Sequence, residues 1–234
     1  MKSKNTKNST ATEHKCEFCG STFIRETSLL KHLCETKRRW LNKDMQGNRI
    51  GFSAFVQFYT KHSRKVKKDY MDFAKSAYYT AFVKFGNYCS EATVLNPSRY
   101  VDWLLQEQIS IDIWNRDTNY NRFLLEYLKT EDPLDAIARS IETTVSLSEQ
   151  DKIQTKDALR YGNRNRICYE ITKGKISPWM LYQSDSGLKF IENLDTTQQK
   201  MIIEYINPEQ WAIKFKRSKN IIPEVKELLK VAGY

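Results

Sequence analysis

The chain has 234 residues, of which 40% are hydrophobic, 12% aromatic and 28% charged. This length fits one medium domain, or one domain with a small appended module, and the apolar content suffices to form a core, which excludes bulk disorder. No apolar run approaches the roughly 18 residues of a membrane span, and the first ten residues lack the apolar stretch of a secretory signal. We therefore expect a cytoplasmic protein with no membrane partner.

The formal net charge of +10 is concentrated near the amino terminus. Residues 1–68 contain 16 lysines and arginines against 5 acidic residues, whereas residues 69–234 contain 22 against 23. A general need for solubility would spread the excess along the chain, whereas a surface that binds a polyanion would concentrate it. The distribution favours nucleic-acid binding by the first third of the chain, with a merely solvated basic tail as the alternative.

Three of the five cysteines, Cys16, Cys19 and Cys34, lie within nineteen positions, while Cys89 and Cys168 stand alone. An odd number of cysteines in a chain without an export signal argues against a disulfide framework. The cluster therefore indicates a metal site, and the two isolated cysteines are expected in the core.

Residues 16–32 follow the pattern C-x2-C-x3-F-x5-L-x2-H. Two thiolates on a tight knuckle and an imidazole on a following helix supply three tetrahedral zinc ligands. Gly20 permits the turn after the second cysteine, and Phe23 and Leu29 are placed to form a miniature core. Such a small module is not expected to fold without its ion, so metal binding and folding should be one event.

This segment resembles the first three quarters of a ββα zinc finger of the two-cysteine, two-histidine type. The resemblance implies a fourth ligand four to six residues beyond His32, but Thr36, Lys37 and Arg38 occupy those positions and none of them binds zinc. Cys34 is the nearest candidate, which would make this a Cys-terminated variant of the finger.

Cys34 can join the site only if the helix ends early. Residues two apart on a helix point about 200° apart, so the helix has to unwind near Leu33 for His32 and Cys34 to converge. His14 or a water molecule is the alternative fourth ligand. The predicted zinc ligands are Cys16, Cys19, His32 and Cys34.

The finger resemblance also implies which residues face DNA. The positions that match the base-reading positions of the family are Arg25, Ser28 and Lys31, and an arginine or lysine there can reach a guanine edge. One finger covers only about 3 base pairs, which is little for specific binding, and single fingers also bind proteins.

Two basic clusters follow the finger within residues 36–68, and lysines and arginines at this density can neutralise several phosphates. Between them, apolar residues at 52, 55, 56 and 59 have the i, i+3, i+4, i+7 spacing of a buried helix stripe, which we favour over a base-stacking platform. Trp40 is expected to be exposed. The predicted nucleic-acid contacts in this connector are Lys37, Arg38, Arg39, Lys43, Arg64, Lys65, Lys67 and Lys68.

The rest of the chain has the period of amphipathic helices, without an internal repeat or a low-complexity linker. The predicted fold is mainly α, with a small ββα zinc finger followed by a single all-α domain. The predicted segments are a disordered basic tail at 1–15, the zinc finger at 16–35, a basic connector with the first helix at 36–68, and the all-α domain at 69–234. Helices are predicted at 52–63, 68–91, 118–130, 133–148, 150–161, 196–206 and 223–231.

The helical region carries no recognisable catalytic motif. It has no G-x-x-x-x-G-K-[ST] phosphate loop and no G-x-G-x-x-G fingerprint. His62 is the only histidine outside the finger region, which removes most acid–base and triad arrangements. Acidic pairs such as Asp69 and Asp72 are interpreted as solvated, and Trp179 and Trp211 as core residues rather than partner-binding anchors. We expect no enzymatic activity.

A weaker resemblance covers residues 31–41 and 51–59, which look like parts of small finger-bearing proteins of large contractile-tailed phages. It implies a host-cell cytoplasm as the location. The favoured hypothesis is a non-enzymatic zinc-finger protein that binds nucleic acid, DNA rather than RNA, as a regulatory or accessory factor in phage-type DNA transactions. The alternative is a protein–protein adaptor whose finger and helical domain bind a replication, transcription or packaging component.

Overall fold

The computed structural model describes residues 13–62 and 68–234. Within these ranges it contains one two-stranded antiparallel sheet and fifteen α-helices, so the predicted mainly α fold is confirmed. The chain divides into two compact units, Met1–Arg116 and Asp117–Tyr234. This boundary falls inside the segment predicted to be a single all-α domain, 69–234, so that segment contributes to both units. None of the described helices combines the length and the apolar character that a bilayer crossing requires.

The first unit begins with a small ββα arrangement. Strand β1, His14–Lys15, pairs antiparallel with strand β2, Thr22–Phe23. Helix α1, Glu26–Lys31, follows and packs on both strands. Strand β1 lies within the predicted disordered tail, 1–15, so the sheet orders two residues that the sequence assigned to the tail.

Five further helices complete the described part of the first unit. They are α2, Glu35–Leu41; α3, Gln46–His62; α4, Tyr70–Lys75; α5, Tyr79–Glu91; and α6, Pro97–Gln106, followed by a 3-10 turn at Ile111–Ile113. Their core is aromatic, because five rings that are at most 2% exposed pack against one another. These rings belong to Phe55, Phe73, Phe82, Phe85 and Trp114.

Helix α3 begins at Gln46, six residues before its predicted start. Gly47 and Gly51 lie in these extra turns. Because each glycine weakens a helix by about 1 kcal/mol, the sequence does not predict that the helix begins before residue 52. The glycines are needed because α3 and α5 approach closely. A Cβ on Gly86 of α5 would lie 1.9 Å from the carbonyl oxygen of Gly47. The predicted buried stripe on α3 is present, with Phe55 fully buried.

The predicted single helix over 68–91 is wrong, because the chain breaks between α4 and α5. Ser76 has an extended backbone, with φ −65° and ψ 139°, so the helical hydrogen-bond ladder stops there. Arg39 of α2 donates to the carbonyl oxygens of Ala74 and Ser76, at 3.1 and 3.3 Å. The break leaves carbonyl groups without helical partners, and a distant arginine satisfies these two. A periodic pattern cannot reveal such a contact.

The second unit is entirely helical within the described residues. Its helices are α7, Asp117–Thr130; α8, Pro133–Asp151; α9, Ala158–Tyr161; α10, Arg164–Thr172; α11, Pro178–Gln183; α12, Asp185–Glu192; α13, Thr196–Ile206; α14, Pro208–Arg217; and α15, Ile222–Val231. The helices predicted at 118–130, 196–206 and 223–231 are confirmed to within one residue. The helix predicted at 150–161 is wrong, because α8 runs on to Asp151 and only a 3-10 turn and the short α9 follow.

Two tryptophans mark the core of the second unit. Trp179 and Trp211 are at most 2% exposed, and their rings meet edge to face with centroids 6.2 Å apart. Their prediction as core residues is therefore confirmed. Cys168 in this unit and Cys89 in the first unit are also buried, and burial raises the pKa of Cys168 to about 11 and that of Cys89 to about 12. Neither thiol is accessible as a nucleophile.

Candidate metal centre

The hairpin between β1 and β2 brings the first two cysteines together. The backbone N–H of Cys16 donates to the carbonyl oxygen of Ser21, and that of Gly20 donates to the carbonyl oxygen of Cys16, both at 2.8 Å. Gly20 has φ +79°, a conformation that residues with a Cβ rarely adopt. The turn after the second cysteine therefore depends on the glycine, as predicted.

The end of α1 supplies the other two candidate ligands. The helix stops at Lys31, and both His32 (ψ 120°) and Cys34 (ψ 164°) have extended backbones. The predicted unwinding near Leu33 is therefore confirmed. The imidazole of His32 also packs against Phe23, with ring centroids 4.8 Å apart, so the miniature core helps to orient the ring.

Four ligand atoms converge at this point. The sulfur atoms of Cys16, Cys19 and Cys34 and a ring nitrogen of His32 all lie within 4.8 Å of one another. The sulfur of Cys19 is 3.2 Å from Nε2 of His32. Three thiolates and one imidazole form a donor set that can hold a metal ion, and its place beside a small sheet and a helix fits a zinc finger. The alternative ligand His14 does not belong to this group.

The thiols of this cluster have different acidities. The pKa of Cys19 is lowered to about 6, because hydrogen bonding with the hydroxyl and backbone N–H of Ser21, and then with His32, stabilises its thiolate form. Partial burial raises the pKa of Cys34 above its ordinary value, although the N–H of Lys37 donates to its sulfur at 3.4 Å. Cys19 therefore loses its proton more easily than Cys34, and the thiolate is the form that binds a metal ion.

Cys34 has a second structural role besides joining the cluster. Its sulfur accepts the hydrogen bond from Lys37 that caps the amino terminus of α2. Arg39 in turn fixes helix α2 to the helical part of the first unit. Trp40 fixes it to the knuckle, the turn at residues 16–20, because its ring lies 5.6 Å from that of Phe18. The cluster of candidate metal ligands is therefore joined directly to a helix that packs on α4.

Arg39, a predicted nucleic-acid contact, is used inside the protein. Besides its bonds to the α4 carbonyls, its guanidinium lies 4.6 Å from the centre of the Tyr79 ring and pairs with Glu35 at 3.0 Å. Its side chain is only 23% exposed. Trp40, expected to be exposed, is half-buried against Phe18, and Nζ of Lys43 lies 4.0 Å from the centre of its ring.

The remaining predicted contacts differ in availability. Arg25, Ser28 and Lys31 are exposed along α1. Three of the connector cations make contacts within the protein: Lys37 donates to the carbonyl oxygen of His32 at 3.3 Å, Arg38 pairs with Glu35, and Nζ of Lys68 lies 5.2 Å from the centre of the Tyr59 ring. Arg64, Lys65 and Lys67 lie outside the described residues.

Sequence reasoning missed two parts of this site. The first is the contact between Phe18 and Trp40, which joins the knuckle to α2. The second is the cap that Cys34 provides for α2. The sequence does contain a signal for this cap: acidic residues are common in the first turn of a helix, and Glu35 directly follows Cys34.

Comparison of the chain with protein-family models, with curated proteins and with solved structures gave no match. The convergence of the four ligand atoms is thus the main observation on which a function can be argued.

Proposed function

We propose that this chain is a zinc-dependent, non-enzymatic nucleic-acid-binding protein with DNA as its target. The observation that carries the proposal is the convergence of three cysteine sulfurs and one histidine nitrogen within 4.8 Å. Zinc is the ion proposed, because it takes four sulfur and nitrogen ligands in tetrahedral structural sites and has no redox chemistry of its own. The residues that would hold it are Cys16, Cys19, His32 and Cys34.

The exposed side of α1 supports the assignment to nucleic acid. Arg25 precedes the first residue of the helix, and Ser28 and Lys31 are its third and sixth residues. These are the positions from which finger helices contact successive bases. All three side chains are exposed, and the two cations form no ion pair with any described residue. The ring of Phe18, by contrast, packs against Trp40 within the protein.

Fluorescence anisotropy with a labelled duplex tests the proposal in the full, zinc-loaded chain. Replacing Arg25 and Lys31 together by Gln should weaken binding at least about tenfold, because each lost contact to a base edge costs about 1–3 kcal/mol. The matched control is Lys226→Gln with Lys230→Gln, which removes two exposed lysines of α15. Equal losses in both variants would mean that only net charge matters, and no binding at about 50 mM salt would reject the nucleic-acid assignment.

A protein–protein adaptor is the second candidate, and one observation favours it. Three large apolar side chains of the finger are strongly exposed: Ile24 at 81%, Leu30 at 71% and Leu33 at 60%. Exposed aliphatic residues of this kind can anchor a protein partner. Replacing Ile24 and Leu30 by Ser should leave duplex binding within about twofold if DNA is the target. Loss of a nuclease-resistant partner from a pull-down with the same variant would instead favour the adaptor.

The proposed setting is a regulatory or accessory role in phage-type DNA transactions. It rests only on the likeness to phage finger proteins that the sequence of residues 31–41 and 51–59 suggests. Crosslinking to DNA in infected host cells tests this setting, because a finger protein of that kind should be recovered on phage DNA.

A further inference from the structure

A cationic cleft opens in the second unit, between α9 with the start of α10 and α12. Its volume is about 340 Å³, within the range of small-ligand sites. Its lining includes the cations Arg160, Arg164 and Lys189, the ring of Tyr161 and the amide of Asn193. No carboxylate lines the cleft. The site is therefore locally positive although residues 117–234 as a whole contain 18 basic and 17 acidic residues.

The cleft cations differ from other cations of the same unit. Arg166 pairs with Asp151 at 2.8 Å, and Arg139 pairs with the buried Glu131 at 2.8 Å. In contrast, Arg160, Arg164 and Lys189 are exposed and form no ion pair with any residue that the structure describes. Three unpaired cations that line one cleft repel one another, so an anion that contacts all three should bind there.

Tyr161 adds an aromatic surface to this positive cleft. The residue ends α9 and is 72% exposed, more than Tyr78 at 51% and Tyr169 at 50%. A large exposed ring beside arginines is the combination on which single-stranded nucleic acids stack a base while the neighbouring phosphates meet cations. Arginine also matches phosphate geometry, because its guanidinium donates two parallel hydrogen bonds.

We infer that the α9–α12 cleft binds a nucleotide unit, with the phosphate on Arg160, Arg164 and Lys189 and the base stacked on Tyr161. Such a unit can come from single-stranded nucleic acid or from a free nucleotide, since both carry a phosphate next to a base. The inference goes beyond the proposed function, because none of these residues lies in the finger or in the basic connector. It gives the helical unit a binding role of its own.

The cations are tested in the full, zinc-loaded chain with a labelled twelve-residue oligothymidylate. Replacing Arg160, Arg164 and Lys189 by Gln should weaken binding at least about tenfold and lower the salt slope by about 0.7, the contribution of the one single-strand phosphate that they contact. A matched control that replaces Lys200, Lys219 and Lys226 by Gln removes the same charge from exposed positions elsewhere in the unit. Affinity within twofold of the unmodified chain, or an equal loss in the control, would overturn the inference. Circular dichroism and thermal melting confirm that each variant is folded.

The aromatic contact is tested at Tyr161. Tyr161→Ala should weaken oligothymidylate binding at least about fivefold, whereas Tyr161→Phe, which keeps the ring, should bind within twofold of the unmodified chain. Equal affinity of the Ala variant and the unmodified chain would contradict the stacking contact. Thymidine monophosphate, titrated alone, distinguishes the two sources of the nucleotide. If it binds and depends on the same cations, the cleft takes free nucleotides; if only the oligonucleotide does, the cleft takes a strand.

The finger variant, Arg25→Gln with Lys31→Gln, separates this inference from the proposed function. If single-strand binding falls only in the cleft variant, the cleft is the binding site for single strands. The finger then does not bind single strands, and the duplex experiment alone decides the finger proposal. If it falls only in the finger variant, the cleft inference is wrong and the finger proposal survives. A loss in both variants supports two separate binding surfaces on one chain.

Discussion

The finger and the helical part of the first unit are stabilised in opposite ways. Helix α1 of the finger contains no buried residue, and Phe23, part of its miniature core, is only half-buried. Helix α5, in contrast, buries five residues, among them Phe82 and Phe85. A region with so little buried surface requires another source of free energy, which a metal ion held by the four candidate ligands could supply.

The two regions are nevertheless physically connected. The candidate ligand Cys34 caps the amino terminus of helix α2, and Arg39 holds this helix on α4. We therefore expect the effect of metal loss to decrease along the chain, from the ligands through α2 to the aromatic core. Each of the following experiments tests one step of this gradient.

Removing the ion should have the largest effect. In a structural zinc site, the binding free energy is folding free energy and reaches about 10–16 kcal/mol in small fingers. With a chelator, or with Cys16→Ser, amide hydrogen exchange should lose all protection in residues 13–34, while protection in α5 persists. Because the helical core does not depend on the ion, the far-ultraviolet circular dichroism should change little.

Cys89→Ala is the matched control for Cys16→Ser, because Cys89 is also a buried cysteine but lies in α5 and is not part of the cluster. This variant should retain one zinc per chain by elemental analysis. Absence of stoichiometric zinc from the unmodified, unchelated chain would instead refute the zinc centre itself.

Disrupting the aromatic core should destabilise the helical part and leave the metal site intact. Phe82 is fully buried and contacts the rings of Phe55 and Trp114, so Phe82→Ala should lower the free energy of unfolding by about 3–5 kcal/mol. Urea denaturation measures the loss, and zinc content below the transition should stay at one per chain. A loss of zinc at the same urea concentration as unfolding begins would show that the two regions are more tightly coupled than we infer.

The contact between α2 and the helical part can be removed at Arg39. Arg39→Met keeps most of the side-chain volume but removes the donors to the carbonyl oxygens of Ala74 and Ser76. We expect a loss of about 1.5–3 kcal/mol, the usual contribution of hydrogen bonds from a charged group. Arg38→Met is the control, because Arg38 is exposed and, among residues 13–62 and 68–234, pairs with Glu35 alone, on its own helix. Similar losses in both variants would contradict a specific role for Arg39.

The sequence predicts more structural detail in the finger than in the helical region. The convergence of the four candidate ligands, the glycine turn and the unwinding at Leu33 all follow from local spacing, because the four residues lie within nineteen positions of one another. The break at Ser76 depends on Arg39, 37 residues away, and could not be read from local periodicity. The contacts of Arg39 with Ala74, Ser76 and Tyr79 are equally distant along the chain, so the sequence of the basic connector does not reveal them.

Net charge was also an incomplete guide in the second unit. The count of charged residues over 69–234, 22 basic against 23 acidic, describes a nearly neutral segment. The structure places Lys189 of α12 beside Arg160 and Arg164, which creates a local cationic cleft. Such a cleft forms only when the chain folds, so the net charge of a segment does not reveal it.

The two roles of Cys34 can be separated by a pair of substitutions, and this is the smallest effect that we predict. Cys34→Ser and Cys34→Ala both remove a thiolate, so both should weaken zinc binding. Only the serine variant keeps a side-chain acceptor for the N–H of Lys37, and serine is among the best N-cap residues. In the zinc-free protein, α2 should therefore be about 1 kcal/mol less stable with Ala than with Ser, as measured by exchange of the Arg38 amide, which donates to the carbonyl oxygen of Cys34. Equal exchange in the two variants would mean that the sulfur contributes to α2 only through the metal, and the gradient from the ion to the core would then have no separate capping step.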